Sequence, residues 1–339
     1  MDRSRTQLLA FAALLAMSAI WGSTFFLTKD LLTRLGVLDL LALRFAVASV
    51  ALAVLAAPRL RIDATVLRRG ALLGLLYGAA QILQTTGLSL TAASVSGFVT
   101  GLYVVLTPLL GALLLRSRVG RATWAGAVLA AVGLGVLSLD GLSVGAGEAL
   151  TFASAVVYAL HILLLSRFTD PARALGLSLV QLVVITAVCT LAALWPDASG
   201  HVGISVPSSS TDWWSLLYLA VVAAALAMVL QTWAQAHVEP SRAAVVMAME
   251  PVWAAAFAVA LGGERVTVRM VLGGLAIVAA MYLVELAPRR AGSSSRRATG
   301  DAPLPPLPPG PGSPAVPSAA PSGGAAWDGT GPASERRPS

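Results

Sequence analysis

The chain has 339 residues, 57% of them hydrophobic and only 12% charged, a balance that excludes an ordinary soluble globule of this length. A net charge of +7 would point a soluble protein toward nucleic acid. Here the basic residues sit in short segments between apolar runs, which fits membrane topology and no nucleic-acid partner.

Ten apolar stretches, each close to the ~20 residues needed to cross ~30 Å of hydrocarbon, fill the first 287 residues. The spacing predicts spans at Leu8–Thr28, Val37–Ala57, Gly70–Leu90, Ala93–Leu115 and Ala122–Leu139. Five more follow at Ala149–Phe168, Leu175–Trp195, Trp213–Trp233, Arg242–Gly262 and Met270–Glu285. The first run follows Arg3 and Arg5 as a signal peptide would, but it continues past Ala-Met-Ser-Ala and is expected to persist as a mature helix. The single Cys189 lies inside a span, so neither a disulfide framework nor a cysteine metal site is expected. The fold class expected is all-α, a polytopic membrane protein of ten transmembrane helices.

Basic residues set the orientation. With the N-terminus in the cytoplasm, inner segments before the tail carry twelve Arg residues, and outer segments carry Lys29, Arg34, Arg265 and Arg269. On short loops that excess specifies both termini in the cytoplasm of a cytoplasmic (inner) membrane. From Pro288 onward the composition turns to Pro, Gly, Ser and Ala, and residues 288–339 are expected to be a disordered tail. Its Leu-Pro-Pro-Leu-Pro-Pro stretch around Pro305 fits a plain spacer or a polyproline ligand, and the Arg residues just past the last span can reach anionic headgroups.

The chain also repeats itself. Thr100–Pro108 in the fourth span and Val246–Pro251 in the ninth align on their prolines, each followed by a short loop and a glycine-bearing span. That divides the protein into repeats at 1–140 and 141–287. Five is odd, so the halves enter the membrane from opposite sides, an inverted repeat of the kind secondary transporters use around a midplane site.

Several local motifs then coincide. They are Trp21-Gly22-Ser23-Thr24-Phe25, Leu43-Arg44-Phe45, Gln84-Thr85-Thr86-Gly87-Leu88, Phe98 through Pro108, Tyr158-Ala-Leu-His161, Gln231 with Gln235, Glu250-Pro251 and Leu261-Gly-Gly-Glu264. Together they resemble the drug/metabolite transporter superfamily, and within it the EamA type, across residues 8–286. The resemblance implies two five-helix repeats and efflux of amino acids, other small metabolites or drug-like molecules. One departure stands out: the acid after the second proline helix is Glu264, whereas its first-half counterpart is the basic Arg121.

Polar residues at lipid depth fall at helical spacing. Thr151, Ser154, Tyr158 and His161 share one face, as do Ser96, Thr100, Tyr103 and Thr107, and Tyr77, Gln81, Gln84 and Leu88. Glutamine and tyrosine are costly in hydrocarbon, so these faces are expected to turn to a cavity; for the Ser and Thr residues, helix–helix hydrogen bonding fits as well. A rise of ~1.5 Å per residue puts Gln81, Tyr103 and Glu250 near mid-membrane.

Glu250 is the candidate coupling or substrate-amine residue; a structural carboxylate held by Arg44 or by backbone N–H groups fits equally. Arg44 is read as a partner of Glu250, a ligand for a substrate carboxylate, or a cation snorkelling outward beside Asp39. His161 is a proton relay or a hydrogen-bonded core histidine, Trp21 a pathway wall or packing residue, and Gln231 a further lining candidate. Pro108 and Pro251 are candidate kinks for gating.

The function expected is secondary transport of a small-molecule substrate by alternating access, with protons as the candidate coupling ion. No Gly-x-x-x-x-Gly-Lys-Ser/Thr motif is present, and no cofactor or metal is expected. The alternatives are a lipid-linked-sugar flippase or helper subunit, which would make membrane lipid a partner, and a membrane-embedded enzyme. The enzyme would need clustered Asp, His or Cys at depth, where only Glu250 and His161 qualify. The small residues of Gly126–Gly135 suit helix contacts within one chain or across a homodimer.

Overall fold

The computed structural model describes residues 3–115, 120–140, 143–168, 173–194, 203–227, 230, 234 and 246–286. Residues 1–288 form one compact unit, and the expected tail lies outside the described residues. The first-half helices are α1 (Arg3–Leu31), α2 (Val37–Ala56), α3 (Ala64–Leu90), α4 (Ala93–Gly101), α5 (Tyr103–Leu115) and α6 (Arg121–Ser138). Then come α7 (Ala146–Phe168), α8 (Ala174–Ala193), α9 (Ser210–Leu217) with a π-helical continuation over Tyr218–Leu226, α10 (Glu250–Ala260) and α11 (Val268–Glu285). Among the described residues the one departure from helix and loop is a two-residue antiparallel pair, Leu139–Asp140 with Ser143–Val144.

Six of these helices are long and apolar enough to cross a membrane, α4 and α5 counting as one; four apolar ones are shorter, Arg121–Leu137, Ser210–Leu226, Glu250–Ala260 and Val268–Val284. What they expose is as telling as what they bury. Val50 and Val54 on α2, Trp124, Val128 and Val132 on α6, and Leu272 and Leu275 on α11 all face outward. In water such a surface would aggregate; against lipid tails it costs nothing. The protein is a multi-pass membrane protein.

Local sequence sets the helix limits. Asp63 caps α3 by accepting from the Val66 N–H at 2.8 Å, so α3 begins at Ala64, earlier than the apolar run at Gly70. That bond, with Arg173 nearby, holds the Asp63 carboxyl below the usual carboxylate range. Trp213 and Trp214 are exposed at the start of α9, a position that indole rings favour at a membrane–water interface.

The contacts between helices obey a two-fold pattern. Matching the halves in order pairs α1 with α7, α2 with α8, α3 with α9 and its continuation, α4–α5 with α10, and α6 with α11. Three of these pairs touch directly: α2 with α8, α4 with α10, and α6 with α11. The others come in exchanged sets. The contact of α1 with α10 is repeated by α7 with α4–α5, and that of α3 with α8 by the α9 continuation with α2. Small residues permit the closest approaches. Gly133 and Gly273 face each other across α6 and α11, so the expected small-residue stripe serves contacts within the chain.

Gly87 on α3 packs against Gly147 on α7; a Cβ at Gly87 would stand 2.7 Å from the Gly147 carbonyl oxygen. Gly87→Ala is therefore expected to destabilise the protein by roughly 1–3 kcal/mol through overpacking. Gly120→Ala, where an added Cβ meets nothing within 4 Å, is the matched control. Melting curves of the two purified variants check this; equal melting temperatures would refute the tight α3–α7 approach.

Candidate functional site

Two interrupted helices meet at the centre. The fourth expected span breaks at Leu102, where α4 ends and α5 begins, six residues before Pro108. The ninth breaks at Ala248–Met249, immediately before Glu250 and Pro251. At both breaks the backbone tightens to three-residue steps, Leu102 N–H to Val99 O at 3.2 Å and Met249 N–H to Val246 O at 3.1 Å. Proline cannot donate to the helix ladder and clashes with the carbonyl four residues back, which fits the break just before Pro251; Pro108 lies further on, inside α5.

These breaks bring polar groups together. The hydroxyl of Tyr103, the first residue of α5, lies within interacting reach of the carboxylate of Glu250, the first residue of α10. Tyr103 also packs against Tyr158 of α7, ring centroids 6.4 Å apart, and Tyr158 against Tyr77 of α3 at 6.0 Å. Tyr77 continues to His161 at 5.4 Å and to Phe45 of α2 at 5.9 Å. The stripes predicted on three separate helices thus converge into one cluster.

Hydrogen bonds fix its members. Tyr158 donates to Gln84 Oε1 at 3.0 Å, and Gln84 donates from Nε2 to Thr100 Oγ1 at 3.0 Å, tying α7, α3 and α4. Gln81 donates to the Tyr77 hydroxyl at 3.0 Å. His161 Nε2 meets Gln181 Oε1 of α8 at 2.7 Å, and Gln181 in turn donates to the Leu177 carbonyl. His161 is buried and hydrogen-bonded, whereas Glu250, Tyr103, Tyr158, Tyr77 and Gln84 are each only half-buried. A polar, partly accessible face inside an apolar bundle is what this arrangement offers.

Arg44 lies within electrostatic reach of Tyr77 and Tyr158 and stacks at 5.4 Å over Phe45. It is 9% exposed and forms no ion pair with Glu250 or Asp39 among the described residues. Trp21 stands apart from the cluster: its indole N–H donates to the Ala223 carbonyl at 3.0 Å, joining α1 to the π-helical stretch. Gln231 lies outside the described residues. Sequence reasoning passed over Tyr77 as a site residue, although its stripe was visible, and Gln181, a lone amide in an apolar span whose partner is on another helix.

A second polar cluster, not foreseen, ties the halves at the end of the bundle holding the α1 C-terminus. Glu264 Oε1 accepts from the Ala93 N–H at 2.5 Å, and its carboxylate also takes the Ser94 N–H and hydroxyl, capping α4 from the other half. Thr91 donates to Glu148 Oε1 at 2.5 Å, and Lys29 donates to the carbonyls of Leu88 and Thr91. Arg34 bridges Asp30 and Asp212, at 2.7 Å to the latter.

Apolar outer faces, a two-fold bundle and a polar centre built on broken helices define a membrane transporter. The model of the EamA-like transporter family matches residues 8–139 and again 145–286. The chain belongs to that family. It is 27% identical over 281 residues to an uncharacterized transporter of Archaeoglobus fulgidus, an alignment covering 83% of this chain and 87% of the relative. A solved crystal structure 21% identical in sequence shares the fold, with a TM-score of 0.56 over 84% of this chain and 98% of that one.

The cap made by Glu264 gives a direct expectation. Glu264→Ala strips the α4 N-terminus of its acceptor, so amide exchange at Ala93 and Ser94 should accelerate about tenfold, with ~1–2 kcal/mol lost in stability. Hydrogen-exchange mass spectrometry of the peptide spanning them reads this. Unchanged exchange would mean that the carboxylate does not hold the helix end.

Proposed function

We propose that this protein is a secondary active exporter of small metabolites, amino acids or drug-like molecules, working by alternating access and driven by protons. In this reading all ten apolar segments cross the cytoplasmic membrane as two inverted five-helix repeats, with both termini in the cytoplasm. The short apolar helices among the described residues supply the four further crossings beyond the six long ones. The excess of arginine on one set of loops supports the orientation.

The observation that carries the reading is the contact between Tyr103 and Glu250. It joins the broken helix of one half to the broken helix of the other. A carboxylate at this depth is either charged and in need of a donor, or protonated and able to release one. Changing its protonation changes the bond that ties the two breaks, which links a proton to a rearrangement of the halves. The Lys29, Arg34, Glu148 and Glu264 cluster then closes the outer end, and rocking of the halves opens it.

The reading is tested by uptake into proteoliposomes under an imposed pH gradient, with pooled amino acids and metabolites. Wild type should accumulate solute only with the gradient, and Glu250→Gln should abolish that dependence. Tyr103→Phe, which removes one donor to a carboxylate, should slow gradient-driven uptake by roughly ten- to a hundredfold. Gradient dependence that survives in Glu250→Gln would sink the coupling role and leave a facilitator.

A further inference from the structure

Arg44 is the one strongly charged side chain of the central cluster that the coupling argument leaves unused. Its Nε is buried without a hydrogen-bond partner among the described residues. The residue as a whole is more than nine-tenths buried, and no carboxylate pairs with it there. A buried guanidinium without a counter-ion is costly by several kcal/mol, and fold stability alone would favour an apolar residue in its place. The rings that lead away from it are aromatic: Phe45 lies beneath it, Tyr77 packs against Phe45 at 5.9 Å, and Tyr158 against Tyr77 at 6.0 Å. Both tyrosines are half-buried, so space remains along their rings.

We propose that Arg44 is the anion-binding residue of the solute site, taking the carboxylate of a small solute whose apolar or aromatic body lies along Tyr77 and Tyr158. This rests on the transporter reading and adds a substrate class to it. The planar guanidinium presents a fork that matches a carboxylate with two parallel hydrogen bonds, which an ammonium does not. Tyrosine rings offer flat apolar contact to the rest of the molecule. The row Tyr77–Tyr158–Tyr103 separates this cation from the Glu250 carboxylate, so the two opposite charges do not quench each other. Solute carboxylate and coupling proton therefore have separate seats along one row of tyrosines. Pairing with a solute carboxylate also relieves the loaded protein of a charge-burial cost that the empty one bears, in favour of moving with its cargo.

The experiment is equilibrium binding to detergent-solubilised protein, with the proteinogenic L-amino acids and phenylacetate, each beside its own primary amide. Wild type should bind at least one acid, and bind the amide roughly ten- to a hundredfold more weakly. Arg44→Gln should lose the preference for acid over amide. Arg44→Lys should keep part of it, having charge without the fork. Melting temperature of each variant reports folding, and Arg44→Lys keeps the test open if Arg44→Gln does not fold. Equal binding of acid and amide by wild type, an undiminished preference in Arg44→Gln, or no acid bound at all overturns the proposal. Transport of neutral or cationic solutes with no acid bound would leave the transporter reading intact and remove Arg44 from the site. Acid binding that depends on Arg44, with no solute moved in liposomes, would do the reverse.

Discussion

Backbone amides and carbonyls that face hydrocarbon have no water to turn to, and each one left unpaired costs several kcal/mol. At its two helix interruptions the chain meets that rule with three-residue bonds, and what covers those interruptions shapes the rest of the centre. The α-helical ladder is interrupted at Leu102 and at Ala248–Met249, in the two helices that carry Pro108 and Pro251. Neither break faces lipid. Leu102 is buried in the largest apolar cluster with Val99, Ile277 and Met281, and Ala248 belongs to the same cluster. Because the breaks must be enclosed, α4–α5 and α10 are forced against each other, and the side chains that follow each break, Tyr103 and Glu250, meet.

The polar centre is then a product of enclosure. A tyrosine or glutamine on a lipid-facing helix would be expelled from hydrocarbon, but around the breaks a shared interior is available. Hydrogen bonds across three helices, Tyr158 to Gln84 to Thr100, satisfy groups that no single helix could satisfy. The same economy explains His161 and Gln181, which close on each other in the core between α7 and α8.

Much of this was legible in the sequence. Long apolar runs give helices because period and composition act locally, and α2, α8 and α11 fall within a few residues of the spans read for them. The stripes on the third, fourth and sixth spans pointed inward, and their convergence follows from helical periodicity. The break at Leu102 was not legible, because Gly101-Leu102-Tyr103 reads as ordinary apolar helix and the proline lies further on. Nor was the role of Glu264, which acts on Ala93 and Ser94 across the whole length of the intervening sequence. Arg44 fell between these cases. The sequence left it open between Glu250, a solute carboxylate and Asp39, and among the described residues it pairs with neither acid.

The Glu264 cap has a consequence for balance. A perfectly repeated protein, turned over in the membrane, is its own image, so its two facing states would be degenerate and it would work equally well in both directions. The scaffold here comes close to that image, since its helix contacts exchange in pairs. The cap does not: a carboxylate grips the α4 N-terminus at one end, and the position that should repeat it carries Arg121, exposed to solvent. A cation cannot accept from backbone N–H groups as the Glu264 carboxylate does. Among the described residues, then, one clasp is built on a carboxylate while an arginine holds the repeat position, and that difference lifts the degeneracy. Under the rocking motion proposed above, the direction a repeated scaffold prefers is set by the residues that fail to repeat.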